Sequence, residues 1–293
     1  MKKLLFVLNP FAGTKKAARY LSDIVAVFNR ADYDVTVHIT AEPGDCTQAV
    51  CRHAEDMDLL VCCGGDGTFN ETVCGLMQCR ADIPLGYIPA GSTNDFARSL
   101  NLEADFVKAA KQITEGTAFY YDIGQFGQRY FTYVASFGAF TKVSYNTPQK
   151  LKNILGHAAY VLEGIQELGQ LKPIHMKLVL DGLEIEDDFL FGAICNSTSV
   201  AGLLTLDPQQ VDMSDGLFEV LLIRPPKDLM ELSKCIPALT KQTYDSPMIT
   251  FCSARQIQVT ASEEIPWSLD GEKEAAGRHV NIQNLHKIIR LVK

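Results

Sequence analysis

Leu59-Leu60-Val61-Cys62-Cys63-Gly64-Gly65-Asp66-Gly67-Thr68 is an apolar run that stops abruptly on glycines and a carboxylate. Five apolar residues ended by turn formers read as a buried strand, and the stretch from Phe69 to about Met77 reads as the helix that follows it. The same alternation extends in both directions. Leu4 to Leu8 is a buried strand, and residues 15–30 carry Ala18, Leu21, Ile24, Val25 and Phe28 at helical spacing. Val35 to Ile39 is a second strand, residues 45–56 a second helix, and Leu85 to Ile88 a fourth strand. Strands alternating with helices predict a parallel sheet covered on both faces, with ligands beyond the carboxyl ends of the strands.

The expected N-terminal domain is therefore α/β, a Rossmann-like three-layer sheet over residues 1–122. After about Tyr121 the texture changes. Residues 130–145, 174–181, 184–196, 217–223, 248–260 and 279–292 read as β segments, with turn signals at Asp181-Gly182 and Asp215-Gly216. They predict an antiparallel β-sandwich over 123–285, with residues 286–293 packing back on the first domain. Two helices are inserted. One spans 148–169, with Leu151, Ile154, Leu155, Ala158, Leu162, Ile165 and Leu168 along one face; the other, about 227–240, follows Pro225-Pro226.

Of the 293 residues, 47% are hydrophobic and 21% charged, the balance of an ordinary folded domain with core enough to need no staples. Nine cysteines occur without any Cys-x-x-Cys pair, which argues against a zinc knuckle and for reduced thiols in the cytoplasm. The apolar N-terminal run ends at Asn9-Pro10, too short for a signal peptide, and no run approaches the ~18 apolar residues of a membrane span. Any membrane contact is expected to be peripheral. A net charge of −8 speaks against nucleic-acid binding, which needs a basic face. The six histidines are dispersed without ligand spacing.

Chemistry concentrates in loops that follow strands: Asn9-Pro10-Phe11-Ala12-Gly13, Gly64-Gly65-Asp66-Gly67-Thr68, and Pro89-Ala90-Gly91-Ser92-Thr93-Asn94-Asp95. One glycine-rich loop merely turns a chain. Several in one sheet, each leading into a helix, make a place where backbone N–H groups and helix N-termini meet a phosphate. Neither Gly-x-x-x-x-Gly-Lys-Ser/Thr nor a helix-opening Gly-x-Gly-x-x-Gly is present, which excludes the familiar P-loop and dinucleotide fingerprints. Asp66 would repel phosphate unless a cation intervenes, so the loop implies Mg²⁺.

These loops, continued through Phe96-Ala97-Arg98, resemble the diacylglycerol kinase catalytic domain, in a superfamily that also includes sphingosine kinases and bacterial soluble lipid kinases. Val143-Ser144-Tyr145-Asn146-Thr147-Pro148, Asn196-Ser197, Ala201-Gly202 and Asp215-Gly216 are similar to the soluble diacylglycerol kinases of Gram-positive bacteria. The resemblance runs over nearly the whole chain. It implies ATP as co-substrate, with contacts from Asn9, Pro10, Phe11, Ala12, Gly13, Thr40, Gly64, Gly65, Asp66, Gly67, Thr68, Phe69, Asn70, Glu71, Ser92 and Asn94. It implies a buttressing Mg²⁺ at Asp212, Asp215 and the carbonyl of Leu217, although Asp-x-x-Asp-Gly alone reads as a plain turn. It also implies that Asp270-Gly271-Glu272 supplies the base, Glu272 acting with Asp270 as partner, and that Asp66 lies by the metal-bound phosphates. The residues alone read there as an ordinary hairpin turn.

Lys15 and Arg19, at i and i+4 on the expected first helix, and Arg98 are candidates to meet anionic lipid; solvated surface charge is the equal alternative. Ser92 stands where bacterial diacylglycerol kinases more usually have threonine, and Ala201-Gly202-Leu203-Leu204 lacks the glycine-rich run of many relatives. The expected activity is ATP- and Mg²⁺-dependent phosphorylation of diacylglycerol to phosphatidic acid by a cytoplasmic, peripherally membrane-associated enzyme. A sphingoid base or phosphatidylglycerol as acceptor, a NAD kinase, and a non-catalytic lipid-responsive regulator are the alternatives. The oligomeric state is open, a homodimer included.

Overall fold

The computed structural model describes residues 1–138, 172–200 and 204–293. The chain divides into two compact units: Met1–Ile123 with His286–Lys293, and Gly124–Leu285.

In the first unit the strands β1 (Lys2–Leu8), β2 (Tyr33–Ile39), β3 (Leu59–Gly64) and β4 (Leu85–Pro89) lie in the order β2-β1-β3-β4, all parallel. The helices α1 (Leu21–Arg30), α2 (Asp45–His53), α3 (Asp66–Cys79), α4 (Asp95–Ser99) and α5 (Phe106–Glu115) separate or follow them. β3 and β4 are buried along their whole length, which is why they read as unbroken apolar runs rather than as alternation. Cys62 and Cys63 point to opposite faces and both are buried. Phe69 of α3 is fully buried and packs between Tyr87 and Phe96, with ring centroids 4.4 and 4.5 Å away. Burying such a ring is worth about 2–3 kcal/mol.

The long strand β18 (His279–Val292) returns to this sheet. Its Leu291 pairs in parallel with Leu85 of β4. Lys293 and Thr117 exchange backbone hydrogen bonds at 3.1 Å. The buried Asp122 carboxylate accepts the Lys287 N–H at 2.7 Å and faces His286 Nδ1 at 3.1 Å.

The second unit is an antiparallel sandwich. Its strands are β5 (Ala118–Phe126, entering from the first unit), β6 (Arg129–Phe131), β7 (Val134–Gly138), β8 (Ile174–Leu180), β9 (Leu183–Phe189), β10 (Phe191–Cys195), β11 (Ser199–Val200), β12 (Leu204–Thr205), β13 (Phe218–Ile223), β14 (Ile249–Ala254), β15 (Gln256–Ala261), β16 (Pro266–Leu269), β17 (Glu272–Ala275) and β18 (His279–Val292). One sheet runs β14-β13-β10-β7-β16-β17; in the other, β15 pairs on one side with the first part of β18 and on the other with β8, which pairs β9. Inward residues of both sheets, among them Phe137, Val220, Leu222, Leu178 and Val259, form one core. Trp267 sits in it, edge-on to Phe126 and Phe137 at 5.0 and 4.9 Å. The helix α6 (Leu229–Thr240) opens with Asp228 accepting the Glu231 N–H at 2.8 Å.

Several expected elements differ. The expected strand 248–260 is two strands in different sheets, because the Asp181 carboxylate binds the N–H groups of Arg255 and Gln256, both at 2.8 Å, and turns the chain. The expected strand 184–196 likewise divides at Leu190 between β9 and β10. The first helix begins at Leu21 rather than Lys15. Lys15 has φ 59°, left-handed backbone that no helix continues, so Lys15 and Arg19 do not share a helix face. The expected helix 148–169, the motif Val143 to Pro148 and Ala201 to Leu203 lie outside the described residues.

Candidate functional sites

The glycine-rich loops of the first unit interlock at the carboxyl end of its sheet. Asn9 N–H donates to Cys63 O at 2.9 Å, Thr40 N–H to Leu8 O at 2.9 Å, and Ala90 N–H to Gly64 O at 2.7 Å. The Asn9 side chain donates to Thr68 Oγ1 at 2.9 Å and accepts the Phe11 N–H at 2.9 Å, tying the first loop to the second. The third loop lies on the second so closely that a methyl group on Gly91 would fall 2.7 Å from Gly65 Cα. At Gly13, φ 49° and the Ala90 carbonyl, 2.4 Å from any added Cβ, both require glycine. Asn94, itself left-handed at φ 51°, closes the third loop by accepting the Gly91 N–H at 2.8 Å and donating to Gly91 O at 3.2 Å.

Gly65 precedes α3, and Asp66 is the first residue of that helix. The helix N-terminus carries partial positive charge, so Asp66 is suited to the position electrostatically, and an anion is suited to the same end. Asp66 Oδ2 accepts from Thr93 Oγ1 at 3.2 Å, a partner that sequence reading did not single out. Ser92, Phe11 and Gly13 are exposed beside these loops. Two of the expected nucleotide contacts have other employment: the Phe69 ring is core, and Glu71 Oε1 accepts the Gly44 N–H at 2.9 Å, fixing the turn before α2. Lys15 extends its ammonium over the Phe11 ring, 5.8 Å from the centroid, and Arg98 is exposed near the end of α4.

In the second unit Asp270 and Gly271, at φ 49° and 85°, form the tight turn that joins β16 to β17, with Leu269 opposite Glu272. The two carboxylates of this turn have opposite surroundings. Asp270 is buried and is bonded to the N–H groups of Thr132, Tyr133 and Val134 and to the Thr132 hydroxyl. Burial pushes its carboxyl up from the ordinary range, against those hydrogen bonds, which favour the charged form. Glu272 has a side chain 67% exposed, and Arg129 Nη2 lies 3.7 Å from its Oε2. Arg129 is in turn held by Glu274 at 2.9 Å. One carboxylate is built in; the other is presented.

Asp212 and Asp215 lie on the exposed loop before β13. Asp212 Oδ1 accepts from Ser214 N and Oγ at 2.9 and 2.7 Å, and Asp215 Oδ1 from Leu217 N at 2.8 Å. The nearby Glu219 carboxyl is pushed up to about 8, first by burial and then by the charges of Asp215 and Asp212. Among the described residues no three His, Cys, Asp or Glu side chains converge as a metal site. A cation here would therefore draw on carbonyl and amide oxygens beside the two aspartates. That donor set, all oxygen and negatively charged, fits a hard divalent ion.

The interlocked glycine-rich loops of the α/β unit and the Asp270-Gly271-Glu272 turn of the sandwich are the features by which the sequence resembles a lipid kinase. The diacylglycerol kinase catalytic domain model matches residues 3–126, and the model of the YegS C-terminal NAD kinase beta sandwich-like domain matches residues 134–291. The diacylglycerol kinase of Bacillus subtilis is 32% identical over 99% of this chain and 97% of its own length. That of Staphylococcus carnosus is 30% identical over 92% of this chain and 89% of its own. A crystal structure of a putative diacylglycerol kinase from Bacillus anthracis superposes with a TM-score of 0.81 at 25% identity, covering 99% of this chain and 95% of that one. The chain belongs to the diacylglycerol kinase family. Its parallel α/β unit and its antiparallel sandwich are those the strand and helix patterning predicts.

Proposed function

We propose that this enzyme transfers the γ-phosphoryl group of ATP to the hydroxyl of diacylglycerol, yielding phosphatidic acid and ADP. The observation that carries the reading is the division of labour within Asp270-Gly271-Glu272. Asp270, clamped by Thr132 to Val134, fixes the turn, and Glu272 is left accessible to a proton. A lipid hydroxyl must lose its proton as it attacks phosphorus, and a carboxylate held at that point can accept it. Positioning and charge neutralisation supply most of the acceleration in such transfers.

The interlocked loops of the first unit receive the triphosphate, with backbone N–H groups from Gly13, Gly65, Gly67 and Ser92 as the donors. Asp66 would hold Mg²⁺ against the phosphates, and Asp212, Asp215 and the Leu217 carbonyl would hold a supporting Mg²⁺. Bound there, the ion offsets phosphate charge at the first position and stiffens the loop at the second. Among the described residues no helix is long and apolar enough to cross a membrane; substrate lipid is met at the surface, where exposed Lys15, Arg19 and Arg98 can face anionic head groups.

The decisive assay offers purified protein labelled ATP with micellar diacylglycerol, sphingosine, phosphatidylglycerol and soluble NAD in parallel. Labelled phosphatidic acid well above the other products is expected. Transfer to NAD or to a sphingoid base instead, or none above background, overturns the reading.

A further inference from the structure

The backbone N–H and carbonyl of Leu217 are each held by a side chain, one two positions away and the other distant in sequence. Asp215 Oδ1 accepts its N–H at 2.8 Å, and Asn284 Nδ2–H donates to its carbonyl at 2.9 Å. Asn284 lies in β18 and is fully buried, and its own N–H is bonded to Arg255 O at 2.9 Å, which fixes where the side chain starts. Among the described residues its Oδ1 is a buried acceptor with no hydrogen-bond partner. An amide is planar and short, so that oxygen lies within a few ångströms of the Leu217 carbonyl it accompanies. Leaving a buried acceptor unmet costs about 1–3 kcal/mol, and folded proteins keep such groups where a water or an ion completes them. Two aspartates and the Leu217 carbonyl on one loop, with the Asn284 amide oxygen of the neighbouring strand beside that carbonyl, call for a donor of positive character.

We propose that Asn284 is a positioning residue of the divalent-cation site. Its Nδ2–H orients the Leu217 carbonyl toward the ion, and its Oδ1 accepts from a water in the ion's shell. This rests on the reading above that Asp212, Asp215 and Leu217 hold Mg²⁺. Nothing in the chain's motifs marks the residue, which stands 67 positions beyond the loop it supports. The competing account makes Asn284 a plain structural tie between β18 and the loop, indifferent to metal.

Thermal unfolding of the full chain, without ATP or lipid, separates the two when titrated with MgCl₂ for the native protein, Asp212→Asn and Asn284→Ala. The native melting temperature should rise with Mg²⁺, and Asp212→Asn should abolish the rise. Asn284→Ala should shift the half-saturating Mg²⁺ concentration upward about tenfold, as loss of an outer-shell partner does. An Asn284→Ala protein that melts lower but responds over the native Mg²⁺ range overturns this inference alone. A native protein indifferent to Mg²⁺ overturns the metal reading with it. Should Asn284→Ala not fold, native crystals soaked in Mn²⁺ decide: an anomalous peak about 4–5 Å from Asn284 Oδ1 is expected for a water-bridged ion, and an ion elsewhere, or none, sinks the proposal.

Discussion

Asp270 takes two hydrogen bonds from the single residue Thr132, one from its N–H at 2.6 Å and one from its hydroxyl at 2.8 Å. With Tyr133 and Val134 adding their own N–H groups at 2.9 and 3.1 Å, this carboxylate organises a strand start 138 positions earlier in the chain. Asp270→Ala should therefore be a stability mutation, leaving buried donors unmet at a cost of about 3–5 kcal/mol. Thr132→Val, which removes only the hydroxyl, should cost about 1–2 kcal/mol. Urea unfolding measures both; an Asp270→Ala loss below about 1 kcal/mol would contradict this assignment.

Glu272→Gln should behave in the opposite way. Its side chain is largely exposed and paired only at 3.7 Å with Arg129, so stability should change by no more than about 0.5 kcal/mol. Phosphoryl transfer should fall by about 10²–10⁴-fold while ATP binding stays close to native. Calorimetric titration with ATP beside the kinase assay checks this, and a variant with near-native turnover removes Glu272 from its role.

Gly91→Ala probes the stacked loops. Its added methyl would press on Gly65 Cα and Asn94 Oδ1, both 2.7 Å away, and the backbone of the second loop cannot yield cheaply. ATP affinity should drop at least about tenfold with Asp270 and Glu272 untouched. Gly127→Ala, where an added Cβ meets nothing within 4 Å but φ is 57°, gives a comparison: some strain, unchanged ATP affinity. Equal ATP affinity for Gly91→Ala and the native chain would show that the loops do not receive the nucleotide.

Thiol labelling tests the interior. Burial pushes Cys46 and Cys63 up to about 12 and Cys62 and Cys195 well above the usual thiol range, so at pH 8 almost no thiolate exists at these positions. Exposed Cys51 should be modified first by a thiol-specific disulfide reagent, despite a pKa also raised by partial burial. Peptide mapping that finds Cys63 labelled before Cys51 would contradict the packing of β3.

The N-terminal architecture was legible because buried parallel strands write themselves as apolar runs, and β1, β3 and β4 each end in the loops that carry chemistry. Asp181-Gly182 and Asp270-Gly271 announced real hairpin turns. What stayed hidden depends on distance in sequence. The corner at Arg255 is made by a carboxylate more than seventy positions away, and a continuous β pattern cannot display it. Short strands such as β16 and β17 offer too few residues for periodicity to show. Thr132, Thr93 and Asn284 are ordinary residues locally; each acquires meaning only from a partner brought to it by the fold. Lys15 and Arg19 misled because helical spacing was read through a left-handed turn.

Leu291 beside Leu85 bears on the order of assembly during synthesis. The α/β unit starts to emerge from the ribosome first, yet its sheet lacks a strand until residues 286–293 have been translated. The sandwich, encoded in between, has all its strands available sooner. A released chain truncated before His286 would carry the sandwich beside an open-edged sheet, a form in which chaperone capture or aggregation should begin at the exposed side of β4.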